Sequence, residues 1–186
     1  MPQWKVPLSD LTVTDEDLTT VTDVYRSGWL SMGPRTEEFE QALSDYTGAR
    51  HAVAASSGTA ALHLMCLACG LGAGDEVVVP SLTFVATANA VAYTGARPVF
   101  ADIASASEPW LSVTSVEAAI TPATKAVLVV SYGGLGGQLE EIAALCSARG
   151  LALLEDAAHS LGSRQQGRQL GTFGAAGAFS FFSNKN

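Results

Sequence analysis

No apolar run in this sequence is long enough to cross a bilayer. Runs such as Val77–Val79 and Ala126–Val130 fall far short of the ~20 residues a membrane helix needs. The N-terminal Met1-Pro2-Gln3-Trp4-Lys5 lacks the apolar stretch of a secretory signal, so a cytoplasmic location is expected. Cysteine is scarce and odd in number, three in 186 residues, which does not suggest a disulfide framework. Basic residues are few as well. Ten Lys and Arg against eighteen Asp and Glu leave a net charge of −8, which argues against nucleic acid and anionic membranes as partners. An anionic ligand must then be held by local geometry such as a helix N-terminus. Charged residues make up 15% and apolar ones 48%, a balance that excludes a disordered chain and supplies one sizeable core. Internal repeats, low-complexity tracts and linker-like stretches are missing too.

His63, Cys66 and Cys69 follow one another at three-residue intervals, which invites a metal reading. Their segment, Ala60 to Cys69, is strongly helical, whereas a zinc knuckle usually places its cysteines on a turn, and no second ligand cluster follows. Small apolar residues on a buried helix are the better reading, and no metal is expected.

Residues 1–50 read as an N-terminal helical lead-in segment. Leu18, Val21, Val24 and Tyr25 recur with helical spacing inside Ser9–Arg26, and Phe39, Ala42, Leu43 and Tyr46 do so in a second helix from Thr36 to Gly48. Two glycines and Pro34 break the pattern between them, leaving Trp29 either in a binding loop or in an ordinary turn. Residues 51–186 are more regular. Strands are expected at Ala52–Ala55, Glu76–Pro80, Pro98–Ile103, Lys125–Ser131, Leu151–Leu154 and Ala178–Phe182. Helices are expected up to Gly70, over Thr83–Tyr93, over Ser115–Ile120 and over Leu139–Arg149, with a hairpin in Ser163–Gly171. Apolar strands alternating with amphipathic helices predict an α/β fold, a mostly parallel sheet with helices on both faces. Right-handed crossovers then put the ligand at the carboxyl ends of the strands.

Four features fall at those ends. Ser56-Ser57-Gly58-Thr59-Ala60 enters a helix, where a glycine allows close backbone approach to an anion and the helix start offers unpaired N–H groups. It is equally a plain N-cap, and it matches neither a Walker loop nor the Gly-x-Gly-x-x-Gly of dinucleotide sites. Phe84, after the Val77–Val79 strand, is either a core residue of the next helix or a plate for a planar ring. Asp156 follows four apolar residues and Glu155, so its carboxylate is costly without a cationic partner. His159 lies three residues on; the alternative is an Asp that caps a turn. Lys185 comes just past a strand, where burial would favour the neutral amine that attacks a carbonyl; most such lysines are solvated turn residues. Together an anion cradle, an aromatic plate, a buried carboxylate and a lysine suit pyridoxal phosphate (PLP).

With these residues assembled, the sequence resembles the DegT/DnrJ/StrS sugar aminotransferases, members of the fold-type I PLP enzymes. Ser57–His63, Gly74–Ala90, Glu155–His159 and Phe179–Asn186 carry the resemblance, in the family's order and spacing. It implies that Lys185 forms the Schiff base with the cofactor and later moves the proton. Asp156 would keep the pyridine nitrogen protonated, His159 would lie on the ring's hydroxyl side, and Phe84 would stack. Gly58, Thr59, Ala60 and Ser180 would contact the phosphate. The implied reaction takes an amino group, commonly from L-glutamate, to a keto sugar, often nucleotide-linked, or to a keto cyclitol, in a homodimer with shared active sites. Lysine at 185 argues against the related sugar dehydratases, which carry His there.

Val130–Gly137 departs from the resemblance, since relatives usually carry a His-containing loop at that place. The family also implies more chain after the lysine, including a small C-terminal domain, so the 186 residues are expected to be a piece of a longer protein or of an assembly. A different class of reading follows from that shortness: a non-catalytic PLP-fold protein acting as a binding or regulatory partner.

Overall fold

The computed structural model describes residues 11–185. They divide into two compact units, one made of residues up to Ala54 together with Phe182–Lys185, the other of Ala55–Phe181.

The first unit holds helices α1 (Asp15–Ser27) and α2 (Pro34–Thr47). Thr14 and Asp17 form a reciprocal capping box that starts α1. Pro34 opens α2 at a position where its missing N–H costs nothing. Between the helices Trp29 is exposed, with its indole Nε1 donating to the Met32 carbonyl at 2.9 Å. The expected helix start at Ser9 lies outside the described residues. Ala52–Ala55 is no strand. Val53 is 78% exposed, and Ala54 N donates to the Glu40 carboxylate at 2.7 Å, so a side chain satisfies the amide that a ladder was expected to pair.

The second unit contains α3 (Gly58–Ala68), β1 (Glu76–Pro80), α4 (Val85–Tyr93), β2 (Arg97–Ala101), β3 (Ile103–Ser105), β4 (Glu108–Leu111), α5 (Val113–Ala119), β5 (Thr124–Val130), α6 (Leu139–Arg149), β6 (Ala152–Asp156), β7 (Arg164–Gln165), β8 (Arg168–Gln169) and β9 (Ala176–Ala178). The main sheet has the order β2-β1-β5-β6-β9, and every neighbouring pair is parallel. Val77 and Val79 pack on one face with Leu62, Met65 and Cys66 of α3 and Ala90 and Val91 of α4. Val78 packs on the other with Val116 of α5 and Leu139, Ile142 and Cys146 of α6. That division follows from the period-2 alternation of a strand. It explains why Val77-Val78-Val79 is a continuous apolar run: both faces of a parallel sheet are covered. Each such side chain contributes roughly 1.5–3 kcal/mol by burial.

Two strand expectations and one helix start shift. The predicted Pro98–Ile103 strand splits, because Ile103–Ser105 leaves the sheet to pair antiparallel with β4, a hairpin absent from the sequence reading. The helix predicted from Ser115 begins two residues earlier, capped by Ser112 Oγ on Ser115 N. The final strand is Ala176–Ala178 and not Ala178–Phe182. Its partner β6 ends at Asp156, which pairs with Ala178, so the following residues have no ladder to join. Phe181 and Phe182 are accordingly 50% and 68% exposed. The β7–β8 hairpin lies inside the predicted Ser163–Gly171.

Candidate active site

The carboxyl ends of β5, β6 and β9 come into register: Val130 pairs with Asp156, and Asp156 with Ala178. Asp156, 5% exposed, closes β6. Its Oδ2 accepts from Thr87 Oγ1 of α4 at 2.6 Å, and its Oδ1 accepts from Ala158 N at 3.2 Å. Both oxygens are thereby oriented by the fold. Burying a carboxylate costs free energy that donors or a cation must offset, and the Thr87 hydroxyl and the Ala158 amide are two such donors.

Ser180 follows β9 by two residues and lies against the start of α3. A Cβ placed on Gly58 would stand 3.1 Å from Ser180 Cβ and 3.2 Å from its Oγ. Glycine is thus what lets the helix start and the Ser180 hydroxyl share one small space. Ser57 caps α3, its Oγ accepting from Ala60 N at 3.1 Å. The Ala60 amide is therefore engaged by the cap, while the N–H groups of Gly58 and Thr59 have no acceptor within the helix. An anion finds here two backbone donors, a hydroxyl and the positive end of a helix dipole.

Phe84 precedes the first turn of α4 and is 69% exposed. The core alternative for this ring is excluded by that exposure, and the ring remains available as a surface plate. His159 takes the Gly133 N–H on Nδ1 across a long 3.5 Å contact, and Tyr132 meets its ring edge-on at 5.8 Å. The Ser131–Gly137 loop therefore meets the histidine through Gly133 and Tyr132. Lys185 belongs to the first unit, where its backbone N donates to the Phe182 carbonyl at 2.8 Å. It follows β9 by seven residues, further past the strand than the sequence reading placed it.

The second unit thus brings together Gly58 with Ser180, and Asp156 at the adjoining strand end. Cys66 is core, Cys69 is half-buried, and His63 packs edge-on against Tyr93. Among the described residues no cluster of three His, Cys, Asp or Glu is placed to hold a metal ion. Nor is any helix there long and apolar enough to cross a membrane.

Sequence reasoning missed Thr83 and Thr87. Thr87 was legible as a polar residue on the apolar stripe of Ala86, Ala90 and Val91, with Thr83 one turn before it. The plain N-cap expected at the Ser57-Gly58-Thr59 helix start is present, with Ser57 as the cap.

Solved structures that share this fold include aminotransferases. TlmJ from Streptoalloteichus hindustanus superposes with a TM-score of 0.88 at 40% identity, over 97% of this chain and 49% of that one. A sugar aminotransferase by its description, Spr1654 from Streptococcus pneumoniae, was solved in a PLP form and superposes with a TM-score of 0.86 at 32% identity, over 98% of this chain and 50% of that one. The chain belongs to the DegT/DnrJ/EryC1/StrS aminotransferase family, whose sequence profile matches residues 12–186. The spore coat polysaccharide biosynthesis protein SpsC of Bacillus subtilis (strain 168) is 45% identical over 183 residues, 97% of this chain and 46% of that protein. The chain spans about half the length of the curated relatives it matches.

Proposed function

We propose that the protein is a PLP-dependent aminotransferase that moves an amino group, with L-glutamate as donor, onto a keto sugar or keto cyclitol in amino-sugar biosynthesis. Membership of the family supports the reaction class. The observation that carries the reading is Asp156, a carboxylate 5% exposed and oriented at both oxygens at the carboxyl end of a parallel sheet.

The residues fit the cofactor. Gly58 and Thr59 amides with the Ser180 hydroxyl would hold its phosphate, and the absent side chain at Gly58 is what leaves room. Exposed Phe84 would cover one face of the ring. Asp156 would keep a proton on the pyridine nitrogen, and His159 would lie on the ring's hydroxyl side. PLP, when bound, supplies an electron sink for charge at the substrate carbon. Lys185 Nζ is the amine that would join the cofactor's aldehyde and carry the proton to and from that carbon; its warrant is the Phe179-Ser-Phe-Phe-Ser-Asn-Lys185 motif. Residues 51–186 would form the cofactor domain, preceded by the helical segment 1–50. The same reading carries a cytoplasmic homodimer with shared sites.

The test is spectroscopic. The PLP-loaded protein is expected to show a visible band that bleaches with L-glutamate and returns with a keto-sugar acceptor. A loaded protein with no such band counts against the reading.

A further inference from the structure

Thr87 lies wholly buried on the inward face of α4, among Ala86, Ala90 and Val91. Valine has nearly the same shape and would fill that space with apolar contact. The hydroxyl nevertheless makes two short hydrogen bonds, 2.6 Å to Asp156 Oδ2 and 2.6 Å to Thr83 Oγ1. Their direction follows from proton counting. An ionised carboxylate only accepts, and Thr87 has a single hydroxyl proton to give. If that proton goes to Asp156, Thr83 is the donor to Thr87. The line of donors therefore runs from Thr83 through Thr87 to the carboxylate, and Thr83 is the direct neighbour of Phe84 in the chain.

We propose that Thr87 is a positioning residue for Asp156, fixing the rotation of the carboxylate, with Thr83 setting the direction of the donor line. A hydroxyl donating to a buried carboxylate stabilises the charged form and forbids rotation of the group. The first turn of α4 thereby holds the exposed Phe84 ring and the Asp156 carboxylate in one register. The inference rests on the reading of Asp156 as the partner of the cofactor's ring nitrogen.

The test titrates PLP into the protein and into Thr87→Val, Thr87→Ser and Thr83→Val, with thermal melts alongside. Thr87→Val is expected to weaken PLP binding ~10- to 100-fold, as loss of a hydrogen bond to a charged group should, and Thr87→Ser to restore most of it. Thr83→Val is expected to give a smaller loss in the same direction, and it carries the test if Thr87→Val does not fold. In an Asp156→Asn background the Thr87→Val change is expected to have no further effect, because the two act as one unit. Unchanged PLP affinity in Thr87→Val, or the same additional loss in the Asp156→Asn background, overturns the inference alone. No PLP binding by the unmodified protein overturns the functional reading and this inference with it.

Discussion

Glu155 and Asp156 are neighbours at the end of β6, and each is buried, but they direct their carboxylates to different partners. Asp156 accepts from Thr87 Oγ1. Glu155 accepts from the backbone N–H of Gly171 and of Gly174, both at 2.7 Å. Strand alternation sends them to opposite faces of the sheet, and the Glu155 face serves structure. Glu155 gathers the 171–174 turn, and Gly171 in turn packs against Gly177 of β9, where a Cβ would stand 2.1 Å from the Gly171 oxygen. The strand that leads to Ser180 is therefore seated by Glu155.

Glu155→Ala is expected to leave two buried amides unpaired and to cost about 3 kcal/mol of stability, read by denaturant unfolding. Burial pushes the Glu155 carboxyl above its ordinary value, with the Gly174, Gly171 and Phe173 amides and Arg168 opposing the rise. A raised carboxyl contributes stability that is full below the ordinary value of 4.5 and is lost as pH rises through the folded-state value. The melting temperature of Glu155→Gln is therefore expected to fall less than that of the parent as pH is raised from acid toward neutral. An unchanged pH slope contradicts this.

The thiols give a second pH test. Burial raises Cys66 and Cys146 from 9.0 to about 11. Both are expected to resist alkylation in the native protein at mildly alkaline pH, while half-buried Cys69 reacts first. Each raised thiol contributes stability that is complete below pH 9 and lost as pH climbs toward 11. Peptide mapping after timed alkylation, with and without denaturant, checks the order.

Phe84→Ala separates binding from folding. The ring is 69% exposed, so stability should change by less than about 0.5 kcal/mol. PLP affinity is expected to fall about 5- to 10-fold for the lost ring contact, worth ~1 kcal/mol. A large drop in melting temperature with unchanged affinity contradicts the assignment.

Gly58→Ala places a methyl 3.1 Å from Ser180 Cβ, so Ser180 must move by a few tenths of an ångström. The expected outcome is about tenfold weaker PLP binding with a stability loss of ~1 kcal/mol. Ser180→Gly in the same protein is expected to recover the stability and not the affinity, because it relieves the crowding but removes a phosphate donor.

The parallel sheet was legible because Val77-Val78-Val79 and Ala126–Val130 are continuous apolar runs between helical periods, a pattern only two covered faces explain. Asp156 was legible for the same reason: a carboxylate at the end of such a run is conspicuous. Pairing decided what the pattern left open. Phe179 to Phe182 reads as strand by composition, but β6 ends at Asp156 and offers no further ladder. Ala52–Ala55 reads as strand too, yet Glu40 takes its amide. Phe84 is apolar and begins a helix, so hydrophobicity alone favoured the core; its side of the turn was set by tertiary packing. Thr87 needed its partner, 69 residues away, before its hydroxyl acquired meaning.

Lys185 is proposed as the amine that would join the cofactor. Borohydride reduction of the PLP-loaded protein, followed by peptide mass mapping, tests it among the three lysines, Lys5, Lys125 and Lys185. The pyridoxyl mass is expected on Lys185 and is expected to be lost in Lys185→Ala. The same mass on Lys5 or Lys125, or on none of the three, would contradict it.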